Sequence, residues 1–181
     1  MIKSAYSFST KKEKIKSHII VVWVDNESGV LARVVGLFSG RGYNIDSLAV
    51  AEVDKKKNIS RITIATSGTP KVLQQIKLQL GKLVPVHKVA DFPKNKETLL
   101  REMALLKVVS SKEKLEKAKK LCQKYNYTIL DKTEKYFIFE VSALKKEIDE
   151  LVKKLQPLGL VSASRTGVVA MTKGSEVYKQ H

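Results

Sequence analysis

Residues able to do acid–base or metal chemistry are few in this chain, and they are scattered. The three histidines, His18, His87 and His181, lie far apart and none has the spacing of a metal ligand set or a catalytic triad. Each reads as an ordinary surface or strand-edge histidine. The single cysteine, Cys122, excludes an internal disulfide and falls on the inward stripe of a helical pattern, where a small buried hydrophobe is the common role. Gly36, Gly40 and Gly42 lie inside or after a helical pattern, whereas phosphate-binding glycines precede a helix. We therefore expect no catalytic residues, no metal site and no cofactor bound by this chain. What is left is recognition chemistry, and it concentrates between Trp23 and Leu48, WVDNESGVLARVVGLFSGRGYNIDSL. A strand ends at Val24, a polar turn covers Asp25 to Gly29, and a short helix begins near Val30. Asn26 and Ser28 are candidate helix caps, and Gly40 and Gly42 allow a left-handed close. The unpaired N–H groups at the helix start, including those of Gly29 and Val30, make a seat for a small carboxylate.

The elements around that seat follow from periodicity. His18 to Val24 is almost wholly apolar, as in a strand covered on both faces, so a second sheet or a subunit is expected on the side away from the helices. Val30, Leu31, Val34, Val35 and Phe38 recur at helical spacing, with Gly36 read as a point of close approach to the sheet. Tyr43 to Val53 reads as a strand, Asp54 to Asn58 as a hairpin turn, and Ile59 to Thr66 as a strand with Ile62 and Ile64 on one face and Arg61, Thr63 and Ala65 on the other. Thr69 and Pro70 open a helix with the stripe Val72, Leu73, Ile76, Leu80 and Leu83, and Val84 to Ala90 closes the unit. The order is β-α-β-β-α-β, ferredoxin-like.

The same order repeats after a polar linker. Arg101 to Val109 is a strand, Ser111 to Tyr125 a helix, and Thr128 to Leu130 with Tyr136 to Val141 a hairpin. Leu144 to Leu155 is a helix stopped by Pro157 and Gly159, and Leu160 to Met171 is a strand interrupted at Gly167. The expected fold class is α+β, two ferredoxin-like units in tandem. The expected division is a disordered tail over 1–17, a first domain over 18–92, a linker over 93–99, a second domain over 100–174 and a tail over 175–181.

Composition narrows the classes further. No apolar run approaches the roughly 18 residues of a membrane span, so no membrane partner is expected. The net charge of +16 invites a nucleic-acid reading, but of 34 basic residues only Arg33, Arg41, Arg61, Arg101 and Arg165 are arginine, the type suited to bidentate phosphate and base contacts. Dispersed lysines read as a solvated surface, and no nucleic acid is expected. An RNA-binding domain of this strand order stacks bases on aromatics of its third strand. Ile59 to Thr66 has none, and the second unit has Tyr136, Phe137 and Phe139 without the glycine-containing basic motif. Residues 1–17 lack an apolar signal region and arginine, and the chain is expected in the cytoplasm, or in an organelle stroma or matrix if they are a targeting remnant.

The run VDNESGVLARVVGLFSGRGYNIDSLAVAEV, followed by SRITIAT and, near the C-terminus, RTGVVAMTKG, resembles the regulatory (small) subunit of acetohydroxyacid synthase, also called acetolactate synthase. The resemblance spans roughly residues 18 to 174. It implies that the first unit is an ACT domain, that two such domains pair side by side into a homodimer, and that L-valine or a related branched-chain amino acid binds between them. It also implies a catalytic large subunit as partner, carrying thiamine diphosphate, Mg and FAD, which the small subunit activates and to which it transmits feedback inhibition. Asn26 and Asn44 match the family's effector-binding asparagines, although chemistry alone would make them a cap and a polar strand start. Gly29 and Val30 would contribute N–H donors, Leu31 and Ile45 the apolar wall, with Asn44 coming from the neighbouring subunit. A free-standing amino-acid sensor would share the first unit but not the second.

Overall fold

A computed structural model describes residues 15–92 and 97–175 of the 181-residue chain. The expected tails over 1–14 and 176–181, His181, and most of the expected linker, residues 93–96, lie outside them. The first unit runs β1 (Lys16–Asp25), α1 (Val30–Ser39), β2 (Ser47–Asp54), β3 (Ile59–Gly68), α2 (Pro70–Leu80) and β4 (Val86–Phe92). Its antiparallel sheet has the order β2-β3-β1-β4. The second unit runs β5 (Thr98–Val109), α3 (Lys112–Cys122), β6 (Asn126–Lys132), β7 (Tyr136–Ala143), α4 (Lys145–Leu155), a 3-10 turn Gln156–Leu158, β8 (Leu160–Arg165) and β9 (Val169–Thr172). Its sheet order is β6-β7-β5-β8, the same path as in the first. Lys16 and Ser17 thus belong to a strand, as do Thr98 and Leu99.

Each sheet buries one face under its own helices. Ile20, Val22, Val24, Ile62 and Ile64 meet Val34, Phe38, Leu73, Ile76 and Leu80 in the first unit. In the second, Ala104, Leu106, Val108, Phe139 and Val141 meet Leu115, Ala118, Cys122, Ile148 and Leu151. The α1 stripe is Val30, Val34, Leu37 and Phe38, whereas Leu31 is 42% exposed. Gly36 is exposed, and an added Cβ there meets nothing within 4 Å, so it does not serve close packing on the sheet. Thr69 caps α2, its hydroxyl accepting from Val72 N–H at 3.4 Å, with Pro70 behind it. Burial raises the Cys122 thiol to about 12, leaving it an inert hydrophobe. Phe137 and Phe139 are buried edge to face, and Tyr136 O–H donates to Asp131, so the aromatics considered for base stacking are committed to packing or pairing.

The other face of the first sheet is covered by the same chain. β5 is long enough to serve two sheets: Ala104 to Val108 pair with β7 and β8, whereas Thr98 to Arg101 pair with β9 alone. The break foreseen at Gly167 is where the chain leaves β8 and sets β9 against the first sheet. Val168 and Ala170 there join Ile19, Val21, Trp23, Ala65, Ala90 and Phe92 in a third core cluster, with Leu100 packed on it. The Arg61 guanidinium donates to the Ala170 carbonyl and stacks 5.4 Å from the Trp23 ring and 5.7 Å from that of Phe92. Beside the crossover, Arg165 grips buried Glu102 through two hydrogen bonds of 2.6 and 3.0 Å and Asp149 through one of 2.6 Å. Arg165 holds the Asp149 carboxyl below the usual carboxylate range.

Ala170→Asp should therefore destabilise the chain by about 2–3 kcal/mol in thermal melts, because it buries a charge against Trp23. Val169→Asp, on the exposed side of the same strand, should stay within about 0.5 kcal/mol of wild type, and equal effects would mean that β9 is not a core element. Gly159 sits at φ 101 with an added Cβ only 2.3 Å from the Val109 carbonyl oxygen. Gly159→Ala should cost about 1–3 kcal/mol by the same measurement, while Gly81→Ala, at φ −66, should be nearly neutral.

Candidate effector site

The seat at the start of α1 is built by the end of β1. Asp25 N–H donates to the Pro85 carbonyl at 2.9 Å, and the Asp25 carboxylate meets His87 Nε2 at 2.6 Å. Asn26 N–H donates to the Asn58 carbonyl at 2.7 Å, and Asn58 Nδ2 returns a bond to the Asn26 carbonyl at 3.2 Å. The turn is thereby tied to the β2–β3 hairpin, where Asn58 has φ 52. Neither Asn26 nor Ser28 caps the helix. Gly29 holds that position in the left-handed region, φ 84, with no side-chain cap bond. The reason lies in Asn26: its Oδ1 accepts from Ser60 Oγ at 2.9 Å, which leaves its amide N–H₂ as a donor with no acceptor among the described residues.

The helix start offers fewer donors than the sequence suggests. Val30 N–H turns back to the Glu27 carbonyl at 3.4 Å and its side chain is buried in the core. The N–H groups of Gly29 and Leu31 have no acceptor among the described residues. Gly29 is open: an added Cβ meets nothing within 4 Å, so a residue there is opposed by the backbone angle and not by crowding within one chain. Leu31 stands exposed beside this seat, an apolar side chain available to a ligand or a partner.

Asn44 lies in the irregular return Tyr43–Asp46, since β2 begins only at Ser47. Its carbonyl accepts from Thr66 Oγ1 at 2.6 Å, and its Nδ2 donates to Asp46 Oδ1 at 2.6 Å. Asp46 Oδ2 accepts from Ser67 Oγ at 2.8 Å, and Asp46 N–H donates to the Ala65 carbonyl at 2.8 Å. The Asn44 Oδ1 is consequently left facing outward as an acceptor, the role an ammonium requires. Ile45 is half-buried against the first core.

Asn26 and Asn44 do not meet in one chain. Ser60, beside Asn26, and Thr66, beside Asn44, are six residues apart on β3, which separates the two asparagines by about 20 Å. β2 spans that gap along the edge of the sheet. Among the described residues it pairs only with β3, and Val50 and Val53 are exposed on it. The supports Ser60, Thr66, Ser67 and Asp46 escaped the sequence reading. Their available signals were polar residues at buried strand positions, Ser60 and Thr66, and the short spacing Asn44-x-Asp46.

Among the described residues no group of three or more His, Cys, Asp or Glu could hold a metal ion. His18 lies 3.2 Å from Asp91, a strand-edge pair. No helix there is long and apolar enough to cross a membrane.

Residues 20–88 match the family profile described as AHAS small subunit-like ACT domain, and residues 101–174 match that of the small subunit of acetolactate synthase. The acetolactate synthase small subunit of Buchnera aphidicola is 37% identical over 162 residues, covering 88% of this chain and 99% of its own. The isozyme 3 small subunit of Salmonella typhimurium is 36% identical, covering 89% and 98%. The crystal structure of the small subunit from Thermotoga maritima superposes with a TM-score of 0.80 at 31% identity, over 89% of this chain and 99% of that one. With both units matched in order and nearly the full length aligned, the chain belongs to the family of acetolactate synthase small subunits and carries an ACT domain in its first half.

Proposed function

We propose that the chain is the non-catalytic regulatory subunit of acetolactate synthase, which activates a catalytic large subunit and confers feedback inhibition by L-valine. One observation carries the effector part: the two halves of the seat stand at opposite ends of an unpaired edge strand. β2 runs from the Asn44 end to the Asn26 end of the sheet. A second copy pairing its β2 antiparallel about a two-fold axis would bring its Ser47 end to the first copy's Asp54 end, and with it Asn44 to Asn26. Two equivalent sites would then form per homodimer. In each, the Gly29 and Leu31 N–H groups and the Asn26 amide would face the carboxylate, Asn44 Oδ1 of the other copy would accept from the ammonium, and Leu31 and Ile45 would contact the branched side chain. Val30 contributes by anchoring the helix start.

The division of labour follows the two units. The first unit, from β1 to β4, would bind the effector and pair the copies, and the second, from β5 onward, would carry the response, the expected linker over 93–99 giving up Thr98 and Leu99 to β5. Thiamine diphosphate, Mg and FAD belong in this reading to the large subunit, and the complex is cytoplasmic. The other face of the first sheet, occupied by β9, is not needed for the pairing.

Purified alone, the chain should make no acetolactate from pyruvate, and added to its large subunit it should raise turnover several-fold; intrinsic activity would sink the reading, and absence of activation would favour a free-standing sensor. Asn26→Ala or Asn44→Ala should each weaken valine binding roughly 10- to 150-fold by calorimetry, the loss of one charge-assisted hydrogen bond of about 1.5–3 kcal/mol. Gly29→Asp should abolish it by strain and charge repulsion. All three should still activate the large subunit and resist inhibition. The shared site has a sharper test. Mixing the Asn26→Ala and Asn44→Ala chains after dissociation should restore wild-type affinity in about a quarter of the sites, because half the dimers are mixed and one of their two sites is intact. No restoration would mean that both asparagines act within one chain or that the site is elsewhere.

A further inference from the structure

Within the reading just given, we infer that the turn Thr166–Val168 is a latch through which the second unit senses the Asn44 arm, with Ser47 and Gly167 as its two faces. The contact is specific. Val168 N–H donates to Ser47 Oγ at 3.4 Å. Gly167 sits at φ 77, and a Cβ built on it would lie 3.1 Å from Ser47 Cβ and 3.3 Å from its Oγ. A side chain here would be strained by the backbone angle and would press Ser47 back, so glycine suits so close an approach.

Each side of this joint is stiff, while its polar contact is weak. On the first unit, Ser47 follows directly on Asn44–Asp46, which Thr66, Ser67 and the Ala65 carbonyl hold by hydrogen bonds of 2.6 to 2.8 Å. A ligand drawing on Asn44 therefore displaces Ser47 with it. On the second unit, Thr166 N–H donates to the Met103 carbonyl at 3.1 Å, and its hydroxyl is 3.2 Å from Met103 N. The preceding Arg165 is fixed to Glu102 on β5 and to Asp149 on α4. A push on Gly167 is thus delivered to the second sheet and to α4 as a rigid body. Between Ser47 and Gly167 themselves stand one long hydrogen bond and one glycine contact, while the buried side chain of Val168 keeps the turn seated on the first sheet, so the polar contact can take two arrangements at small cost without parting the units. Neither Ser47 nor Gly167 belongs to the effector seat, so they act on its output by positioning.

The test separates binding from response. Ser47→Ala removes the acceptor with little threat to folding, and Gly167→Ala forces the faces apart. Full-length variants are assayed with the large subunit for valine affinity by calorimetry, for activation, and for residual activity at saturating valine. A latch predicts affinity within about threefold of wild type, retained activation, and residual activity at saturating valine raised at least about twofold in both variants, the signature of a reduced coupling factor. Wild-type inhibition in both variants would overturn the latch. Affinity falling in step with inhibition would overturn it too, by making Ser47 part of the seat. If the wild-type chain itself binds no valine, the effector reading fails first and the latch with it. A Ser47→Cys/Gly167→Cys pair gives an independent check, since Cys122 is buried and its thiol held protonated. Oxidation should change residual activity at saturating valine and a reductant should restore the free-thiol value; an oxidised form inhibited like the reduced one would also overturn the proposal.

Discussion

The structure depends on one strand that serves two sheets. β5 leaves the first unit, spends four residues pairing with β9, and only then enters the second sheet. Through the β5–β9 ribbon, Val168 and Ala170 cover the face of the first sheet that its helices cannot reach. Re-exposing Ile19, Val21, Trp23 and Phe92 would cost about 1.5–3 kcal/mol each, a sum comparable with the whole stability of a small domain. The second unit is therefore a structural half of the first unit's core as well as a neighbour in sequence. The halves share buried surface, so the proposed regulatory coupling between them needs no long path.

The fold was legible because both units obey simple periodicities. Apolar residues alternate in β3 and recur at helical spacing in α2, α3 and α4, while Pro70, Gly159 and Gly167 mark real boundaries. The continuous apolar run in β1 also read correctly as a strand covered twice. What covers it could not be read, since Val168 and Ala170 are two small residues at and beside a short strand, and the β1 residues they pack on lie roughly 150 positions away in sequence. Leu31 shows the limit of helical spacing: it lies at the flank of the α1 stripe, and only the position of the sheet decides that Leu37 is buried in its place.

The candidate site was legible in part for a similar reason. The sequence marks a helix start and two asparagines, but a cap is chosen by competition for hydrogen bonds. Ser60 claims the Asn26 side-chain oxygen Oδ1, and the turn then closes through Gly29 in a left-handed conformation. That outcome turns the Asn26 amide outward, toward the open seat, where a capping asparagine would have spent its acceptor on the helix. The failure of the capping rule here thus coincides with the seat proposed for the effector.

Polarity of the two asparagines then follows from their supports. Asn26 gives its oxygen to Ser60 and keeps its N–H₂ group, whereas Asn44 gives its Nδ2 to Asp46 and keeps its oxygen. One end of β2 therefore presents donors and the other an acceptor, the two demands of a zwitterion. A single chain holds them at opposite ends of its edge strand, too far apart for one small amino acid. The proposed two-fold pairing of that edge would reverse the direction of one copy and set donor against acceptor twice. Under this geometry, occupation of the site and association of the copies are linked, because a ligand held by both chains stabilises the pair by its binding free energy and is lost when they separate.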